Sequence, residues 1–271
     1  IEKVDGISSE ELGLANTASK LRGESGTKVL VEISTESGEI REIDLERRSV
    51  DLRPVRTKRL RDDSHTIGYL RITQFSESVP KKVEEALQEL KEKEVEGLIL
   101  DLRNNSGGLV SSGIAVADSL LSEKPIVETK NRNGIKDAIT SQKETSYDGP
   151  MVTLVNKGTA SASEILAGSL QDNGRSILMG DQTYGKGLIQ SLKSLGENSG
   201  VAITVASYLT PKGNNIQGQG ITPDKLLDLP DASEYGSAED KWVRNAELFL
   251  DSFLEKEEVS IQTPEISNEE I

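Results

Sequence analysis

The chain has 271 residues, of which 34% are hydrophobic, enough for one large domain or two smaller ones with a core of ordinary size. Its 32 Lys and Arg against 46 Asp and Glu give a net charge of −14, which argues against nucleic acid and anionic membranes as partners. With no cysteine and one histidine, thiolate zinc sites, cysteine nucleophiles and paired-histidine zinc motifs are excluded. No apolar run approaches the roughly 20 residues of a membrane span, and we expect no metal or other cofactor.

Residues 1–52 predict a small unit of strand, helix, strand and strand. The opening I-E-K-V-D-G indicates a strand, and S-S-E-E-L indicates a helix start with Ser8 as N-cap and Glu11 completing a capping box. The helix is expected to end near Gly23, and K-V-L-V-E-I-S and E-I-R-E-I-D-L then predict a hairpin. This order resembles the second half of a PDZ domain. We expect the other half, with the loop that grips a peptide carboxylate, upstream of Ile1.

The segment between residues 53 and 96 begins with a predicted linker. Residues 53–63 contain a proline and five basic side chains, which are Arg53, Arg56, Lys58, Arg59 and Arg61. His65 follows in the polar run D-D-S-H-T and is expected at the surface. A strand is predicted at H-T-I-G-Y-L-R-I-T-Q-F, and residues 80–96 predict a charged amphipathic helix with an apolar stripe.

The middle of the chain alternates predicted strands and helices. Strands are indicated by G-L-I-L-D-L, P-I-V-E-T-K, M-V-T-L-V-N, S-I-L-M-G and G-V-A-I-T-V-A-S-Y-L-T-P, and a helix by residues 111–121. This alternation predicts a layered core of the α/β (α+β) class. We therefore expect a core over residues 53–237, a C-terminal helix over 238–255, and a disordered acidic tail over 256–271.

The strand M-V-T-L-V-N runs into G-T-A-S-A-S-E-I, where Ser161 and Ser163 are both candidate nucleophiles. A serine at a strand-to-helix turn is exposed, and the N–H groups at the helix start can hold an oxyanion. The alternative is that either serine only caps the helix, with Glu164 completing the turn.

Lys186 is a candidate general base because histidine is nearly absent from the chain. It follows Ser161 by 25 residues and lies between two glycines in Y-G-K-G. Such a lysine must be neutral, and desolvation is what lowers the pKa of a lysine amine. The apolar run that follows Gly187 is expected to contribute to this desolvation of the amine. The alternative is a solvated loop lysine, which is the usual state of lysine in proteins.

The turn R-N-N-S-G-G follows the buried strand G-L-I-L-D-L and presents backbone N–H groups that suit an oxyanion hole. The turn would also suit phosphate, but the chain lacks the lysine signature of a P-loop. Asp101 and Arg103 beside this turn are interpreted as a structural ion pair.

The run from Gly68 to Asp224 resembles the carboxyl-terminal (tail-specific) processing proteases. The matching stretches are G-Y-L-R-I-T-Q-F, L-D-L-R-N-N-S-G-G, N-K-G-T-A-S-A-S-E-I-L-A-G-S-L-Q-D, T-Y-G-K-G-L-I-Q and Y-L-T-P-K-G-N-N-I-Q-G-Q-G-I-T-P-D. The resemblance implies a serine endopeptidase that cuts near the C-terminus of protein substrates. It implies a Clp-protease/crotonase-like core with a PDZ domain inserted before it. It also implies an exported protein of the periplasm or thylakoid lumen, and maturation of the photosystem II reaction-centre precursor is one candidate role.

The same resemblance implies roles for individual residues. Ser161 would be the nucleophile that forms an acyl-enzyme, and Lys186 the general base. Gln190, about one helical turn further on, would orient the lysine amine.

The resemblance further implies an oxyanion hole formed by the backbone N–H groups of Gly108 and Ala162, with Gly107 as the fallback. Asp172 matches an acidic position on the serine helix, and its implied role is structural.

Two other classes of function remain open at the level of sequence. One is a PDZ-containing binding module without activity, against which the joint presence of Ser161, Lys186 and Gln190 argues. The other is a crotonase-like acyl-transfer enzyme, against which the PDZ-like segment argues. Labelling by an acylating probe tests the first, and coenzyme A binding tests the second.

Overall fold

The computed structural model describes residues 1–35, 38–48, 53–61, 65–134, 136–196, 199–228 and 234–262. The chain divides into two compact units, Ile1–Arg53 and Pro54–Ile271. Across these described ranges, no helix is both long enough and apolar enough to cross a bilayer.

The described part of the first unit is a four-stranded antiparallel sheet with one helix. Its elements are β1 (Lys3–Val4), β2 (Ile7–Ser8), α1 (Ser9–Leu21), β3 (Lys28–Ser34) and β4 (Ile40–Glu46). The strand order is β2-β1-β3-β4, and the hairpin pairs Lys28 with Glu46. The predicted strand, helix and hairpin are therefore present in the predicted order. A small core of Val4, Val29 and Val31 holds the unit together.

The start of α1 differs from the prediction. Ser8 occupies the N-cap position, but its side chain makes no capping hydrogen bond, so the predicted capping box with Glu11 is wrong. The Ser9 hydroxyl instead donates to the carbonyl of Ile1 at 2.6 Å. The helix is also kinked at Gly13, where φ is 70°, a conformation that glycine adopts without a steric penalty.

In the described residues of the second unit there are two sheets and four helices. Its elements are β5 (Val55–Arg61), β6 (Thr66–Ile72), α2 (Val79–Glu92), β7 (Gly97–Asp101), α3 (Val110–Leu120), β8 (Pro125–Asn131), β9 (Lys136–Thr140), β10 (Met151–Val155), α4 (Ala162–Asp172), β11 (Ile177–Gly180), β12 (Leu188–Gly196), β13 (Ser199–Leu209), β14 (Lys225–Leu226) and α5 (Lys241–Gln262). The larger sheet has the order β14-β11-β10-β7-β6-β5 and is parallel except for β5 at its edge. The smaller sheet is antiparallel, with the order β12-β13-β8-β9.

Both faces of the larger sheet are covered, which explains why its central strands are mostly apolar. All five residues of β7 and of β10 are buried. Residues of α2, α3 and α4 pack in a core cluster with one face of the sheet. Residues of α5 pack on the other face, where Trp242 and Leu250 join a cluster with Ile67, Tyr69 and Ile99. The mixed α/β prediction is thus confirmed.

Two segments of the second unit correct the prediction. The predicted linker at residues 53–63 contains β5, an edge strand paired along its length with β6. Its basic side chains suit this position, because lysine and arginine on an edge strand discourage pairing with other chains. The C-terminal helix continues to Gln262, so residues 256–262 are helical rather than disordered. Residues 263–271 of the predicted tail lie outside the described residues.

The prediction for His65 is wrong, because this histidine is buried. Its exposed fraction is 6%, and its Nδ1 lies 3.3 Å from Oδ1 of Asp251 on α5. The polar neighbours of His65 suggested a surface position. The residue directly precedes β6, however, and α5 packs on this side of the sheet.

Candidate active site

Ser161 lies at the turn that joins β10 to α4, in the N-cap position of the helix. Its backbone has φ 58° and ψ −117°, a region that non-glycine residues rarely occupy. Such a conformation costs on the order of 1–3 kcal/mol and is found most often at functional sites. The turn therefore has the strained backbone expected where a side chain must be held toward a substrate.

Ser163, the other candidate nucleophile, is placed differently. It is fully buried, and its hydroxyl donates to the backbone carbonyl of Asn105 at 2.9 Å. Ser161 is only partly buried. Of the two serines, Ser161 is therefore the one that a substrate can reach.

The R-N-N-S-G-G turn lies directly against the serine turn. The N–H of Ala160 donates to the carbonyl of Asn105 at 3.0 Å, and a Cβ on Gly107 would lie 2.8 Å from the carbonyl oxygen of Ala160. Only glycine fits this approach. The N–H of Gly107 donates to Oδ1 of Asn105 at 3.0 Å. Gly107 is therefore a poor candidate for the oxyanion hole.

Two other N–H groups at this junction are available. Within the described parts of the chain, the N–H groups of Gly108 and Ala162 have no acceptor. Phe75 fixes the backbone around Gly108, because its N–H donates to the Gly107 carbonyl and its carbonyl accepts from Leu109, both at 2.9 Å. A pair of fixed, unoccupied N–H groups beside a serine is the arrangement that can stabilise an oxyanion.

The Glu164 carboxylate links the serine turn to the lysine loop. Glu164 is buried and accepts hydrogen bonds from the N–H groups of Ser161 at 2.9 Å, Gly185 at 2.7 Å and Lys186 at 2.8 Å. The Thr183 hydroxyl donates to the same carboxylate at 2.6 Å. The sequence suggested Glu164 only as a cap of its own helix. This cap is present, and its other three bonds, from Thr183, Gly185 and Lys186, also hold the segment that carries the candidate base.

We expect Glu164→Gln to weaken both the fold and the site. The amide nitrogen of glutamine cannot accept a hydrogen bond, so buried N–H groups would lose their partner. The expected loss is about 2–4 kcal/mol in the free energy of unfolding. Urea unfolding monitored by circular dichroism measures this loss. Glu85→Gln, on the exposed surface of α2, is the matched control, and an equal effect in both variants would contradict the assignment.

The surroundings of Lys186 and Gln190 differ from those that the resemblance implies. Both residues are exposed, so the expected burial of the lysine is not found. Gln190 lies on strand β12 rather than one helical turn from Lys186, and four residues of extended chain span up to about 13 Å. A bulge between Ile189 and Gln190 also alters the direction of the strand there. No hydrogen bond joins the two side chains among the described residues.

Asp172 makes a structural contact of the kind predicted for it. It is the last residue of α4, and its Oδ2 accepts from the N–H of Lys212 at 2.8 Å. The contact fastens the T-P-K-G segment after β13 to the end of the serine helix. Within the parts of the chain that the structure describes, no cluster of three or more His, Cys, Asp or Glu is placed to hold a metal ion.

Asp101 and Arg103 form the predicted ion pair, and both side chains are fully buried. Oδ1 of Asp101 accepts from N and Nε of Arg103 at 2.9 and 3.0 Å. Oδ2 accepts from the Tyr69 hydroxyl at 2.7 Å and lies 2.9 Å from NH1 of Arg71. Burial, with the negative charge of Asp101, raises the pKa of Tyr69 far above its usual value. Tyr69 therefore remains protonated and donates its hydroxyl hydrogen to Asp101.

A second carboxylate, Asp240, accepts from the other side of the Arg103 guanidinium. Burial by itself would raise the pKa of Asp240, but hydrogen bonds from Arg103 and from the N–H groups of Gly236 and Val243 hold it below its usual value. A carboxyl group with a lowered folded-state pKa stabilises the fold fully above its unfolded pKa of about 3.9. This contribution is lost as the pH falls through the folded-state pKa.

We therefore expect the stability contributed by Asp240 to begin to fall at about pH 4 and to be lost as the pH passes below the folded-state pKa. The free energy of unfolding, measured by urea titration at a series of pH values, should fall more steeply in that range for the natural chain than for Asp240→Asn. The two curves should converge at low pH. Parallel curves would show that ionisation of Asp240 does not contribute.

The sequence profile of Peptidase family S41 matches residues 66–227. The chain is 46% identical over 231 residues to the carboxyl-terminal-processing protease of Synechocystis sp., covering 84% of this chain and 54% of that protein. It is 41% identical over 240 residues to the chloroplastic carboxyl-terminal-processing peptidase 3 of Arabidopsis thaliana, covering 82% and 44%. A solved photosystem II D1 C-terminal processing protease matches with a TM-score of 0.68 and 36% identity, covering 84% of this chain and 62% of that one. The chain spans about half the length of the curated relatives it matches, and it belongs to peptidase family S41.

Proposed function

We propose that this chain is the catalytic part of a serine endopeptidase that cleaves protein substrates near their C-terminus. The observation that carries the proposal is the Glu164 carboxylate, which bonds the N–H groups of both Ser161 and Lys186. One buried side chain thereby fixes the backbone at the candidate nucleophile and at the candidate base. Membership of the family, and relatives named for carboxyl-terminal processing, support the same activity.

In the proposed mechanism Ser161 and Lys186 form a catalytic dyad. The neutral amine of Lys186 takes the proton of the Ser161 hydroxyl as Oγ attacks the peptide carbonyl. The N–H groups of Gly108 and Ala162 stabilise the oxyanion of the tetrahedral intermediate. The lysine then donates its proton to the departing amine, which leaves an ester between Ser161 and the N-terminal part of the substrate. Water, activated by the same amine, hydrolyses the ester.

The exposed position of Lys186 gives the substrate a part in this mechanism. A lysine amine in water is protonated at neutral pH, and removal of water favours the neutral form. A peptide bound at Ser161 would cover the loop that carries Lys186, because Glu164 holds both segments together. We propose that this covering desolvates the amine, and that Gln190 orients it in the substrate complex.

The relatives support a proposal for the setting of the enzyme. One solved relative is named for processing the photosystem II D1 protein, and the curated relatives include cyanobacterial and chloroplastic proteases. We propose C-terminal maturation of this reaction-centre precursor as the candidate role, in an exported protein of the thylakoid lumen or periplasm. We also propose that residues 1–52 are a partial PDZ domain and that the core is related to Clp protease and crotonase.

Incubation with a D1 precursor tests the activity and the substrate together. Mass spectrometry should find one new C-terminus, close to the original one, and the fragment should be absent with Ser161→Ala. Cleavage of an unrelated protein near its C-terminus, without cleavage of the precursor, would support the peptidase and contradict the substrate. Coenzyme A binding without cleavage of any protein would instead support an acyl-transfer enzyme.

A further inference from the structure

Asp240 connects the start of α5 to the buried arginine beside the site. The exposed fraction of Asp240 is 1%, and its two oxygens accept from NH1 and NH2 of Arg103 at 3.0 and 2.6 Å. The same carboxylate accepts from the N–H groups of Gly236 at 2.8 Å, Trp242 at 3.2 Å and Val243 at 3.3 Å. Asp240 therefore caps α5 and holds Arg103 at the same time.

Tyr235 makes a second connection from the same segment. Its ring lies over the guanidinium groups of Arg71 and Arg103, with 4.0 and 4.6 Å from Cζ to the ring centroid. Its hydroxyl accepts from the side-chain amide of Asn104. Asn104 in turn accepts from Nδ2 of Asn156 at 3.0 Å and donates its N–H to Oδ1 of Asn156 at 2.9 Å. Tyr235 is thereby linked to both turns that form the site.

The intervening glycine shows how closely this segment packs on the ion cluster. A Cβ on Gly236 would lie 2.8 Å from ring atoms of Tyr69, whose hydroxyl donates to Asp101. The carbonyl of Gly236 accepts from Nζ of Lys58 on β5 at 2.9 Å. Residues 235–240 are therefore fixed by charge, stacking and close contact.

Arg103 and Asn104 begin the loop that ends at the candidate oxyanion glycine, Gly108. Asn105, the next residue of this loop, bonds the serine turn through its backbone carbonyl. This carbonyl accepts from the N–H of Ala160 and the hydroxyl of Ser163. A displacement of Arg103 and Asn104 would also displace the adjacent Asn105, and with it both the serine turn that Asn105 bonds and the glycines that follow it. Holding Arg103 and Asn104 in place therefore holds the N–H of Gly108.

We propose that Asp240 and Tyr235 are positioning residues for the oxyanion loop, acting through Arg103 and Asn104 on the N–H of Gly108. The segment that precedes α5 is then part of the machinery of the site. This inference rests on the proposed function for its effect on catalysis. Its structural part, the immobilisation of residues 103–108, is independent of any activity.

Tyr235→Phe is the sharpest test, because it removes one hydroxyl and keeps the ring over both arginines. Loss of one hydrogen bond is expected to lower kcat for peptide cleavage about threefold to tenfold, with KM within about twofold. Hydrogen exchange should accelerate by a similar factor at the N–H groups of Asn104 and Gly107. Glu239→Gln, an exposed carboxylate next to Asp240, is the control and should change neither quantity.

Asp240→Asn removes the charge that neutralises Arg103 and should have a larger effect. We expect a loss in kcat on the order of 100-fold, since Arg103 would be left buried with one carboxylate fewer. The kcat of Asp240→Asn is interpreted only if circular dichroism and a cooperative unfolding transition show that the variant is folded. If it is not folded, Tyr235→Phe alone tests the proposal.

Unchanged exchange at Asn104 and Gly107 in Tyr235→Phe would overturn the inference, whatever the activity. Faster exchange with unchanged kcat in an active enzyme would overturn its catalytic part. Faster exchange in a chain that cleaves no protein would support the positioning of the loop and contradict the proposed function. A rise in KM with constant kcat would place Tyr235 in substrate binding instead and would also overturn the proposal.

Discussion

Ser161→Ala is expected to reduce peptide cleavage at least about 1,000-fold, because it removes the only hydroxyl at the strained turn that a substrate can reach. Alanine keeps the Cβ and the backbone N–H that Glu164 accepts from. The free energy of unfolding should therefore stay within about 1 kcal/mol of the natural chain. Initial rates on a fluorogenic peptide and urea unfolding measure the two quantities.

Ser163→Ala is the matched comparison, since the second serine lies in the same motif. Its hydroxyl bonds the carbonyl of Asn105, which keeps the N–H of Ala160 as another donor. We expect at most about 1.5 kcal/mol of lost stability and an activity within about tenfold of the natural chain. The reverse pattern, in which Ser163→Ala is inactive and Ser161→Ala active, would show that the nucleophile is assigned to the wrong serine.

Lys186→Arg is expected to be nearly as damaging as Lys186→Ala, with each variant losing at least about 100-fold in kcat. Arginine keeps the positive charge and the length of the side chain, but it is never appreciably neutral in a protein. It therefore cannot take the proton from Ser161. Steady-state kinetics on the same peptide compare the two variants.

Lys157→Arg provides the control for this substitution. Lys157 lies in the serine motif, is well exposed, and pairs with Asp181 at 3.2 Å. Arginine can replace that contact, so activity should stay within about twofold. An arginine variant of Lys186 with a substantial fraction of natural activity would show that the lysine acts as a fixed positive charge and not as a base.

The sequence was informative about this chain wherever the structure depends on local pattern. Alternating residues predicted β3 and β4, continuous apolar runs predicted β7 and β10, and small residues between a strand and a helix located the serine turn. These signals are local, because they arise from hydrophobic periodicity and turn chemistry over a few residues. The edge strand β5 was missed because its basic residues resemble a linker, although an edge strand tolerates them.

Contacts between distant segments could not be predicted in the same way. Glu164 was recognised as a helix cap, but its bonds to Gly185 and Lys186 depend on how a loop 21 residues away folds back. Asp240 meets Arg103 across 137 residues, and nothing in its local sequence marks it. Such pairs are determined by tertiary packing, so a single sequence provides no periodic signal for them.

His65 illustrates how burial can be misjudged. Its neighbours are polar, yet α5 places Asp251 within 3.3 Å of its imidazole. A carboxylate on a helix nearly 190 residues later decides whether the histidine is solvated. His65→Ala would therefore create a cavity in the packing beneath α5, and it is a poor control for any test of the catalytic base.

The most direct test of the Ser161–Lys186 mechanism is the identity of the residue that becomes acylated. The chain would be treated with a peptide-like acylating inhibitor, digested, and mapped by tandem mass spectrometry. The mechanism predicts one adduct, on Ser161, which forms with the natural chain and is lost or strongly slowed in Lys186→Arg. An adduct on Ser163, or labelling of Ser161 at an equal rate in Lys186→Arg, would contradict the Ser161–Lys186 mechanism.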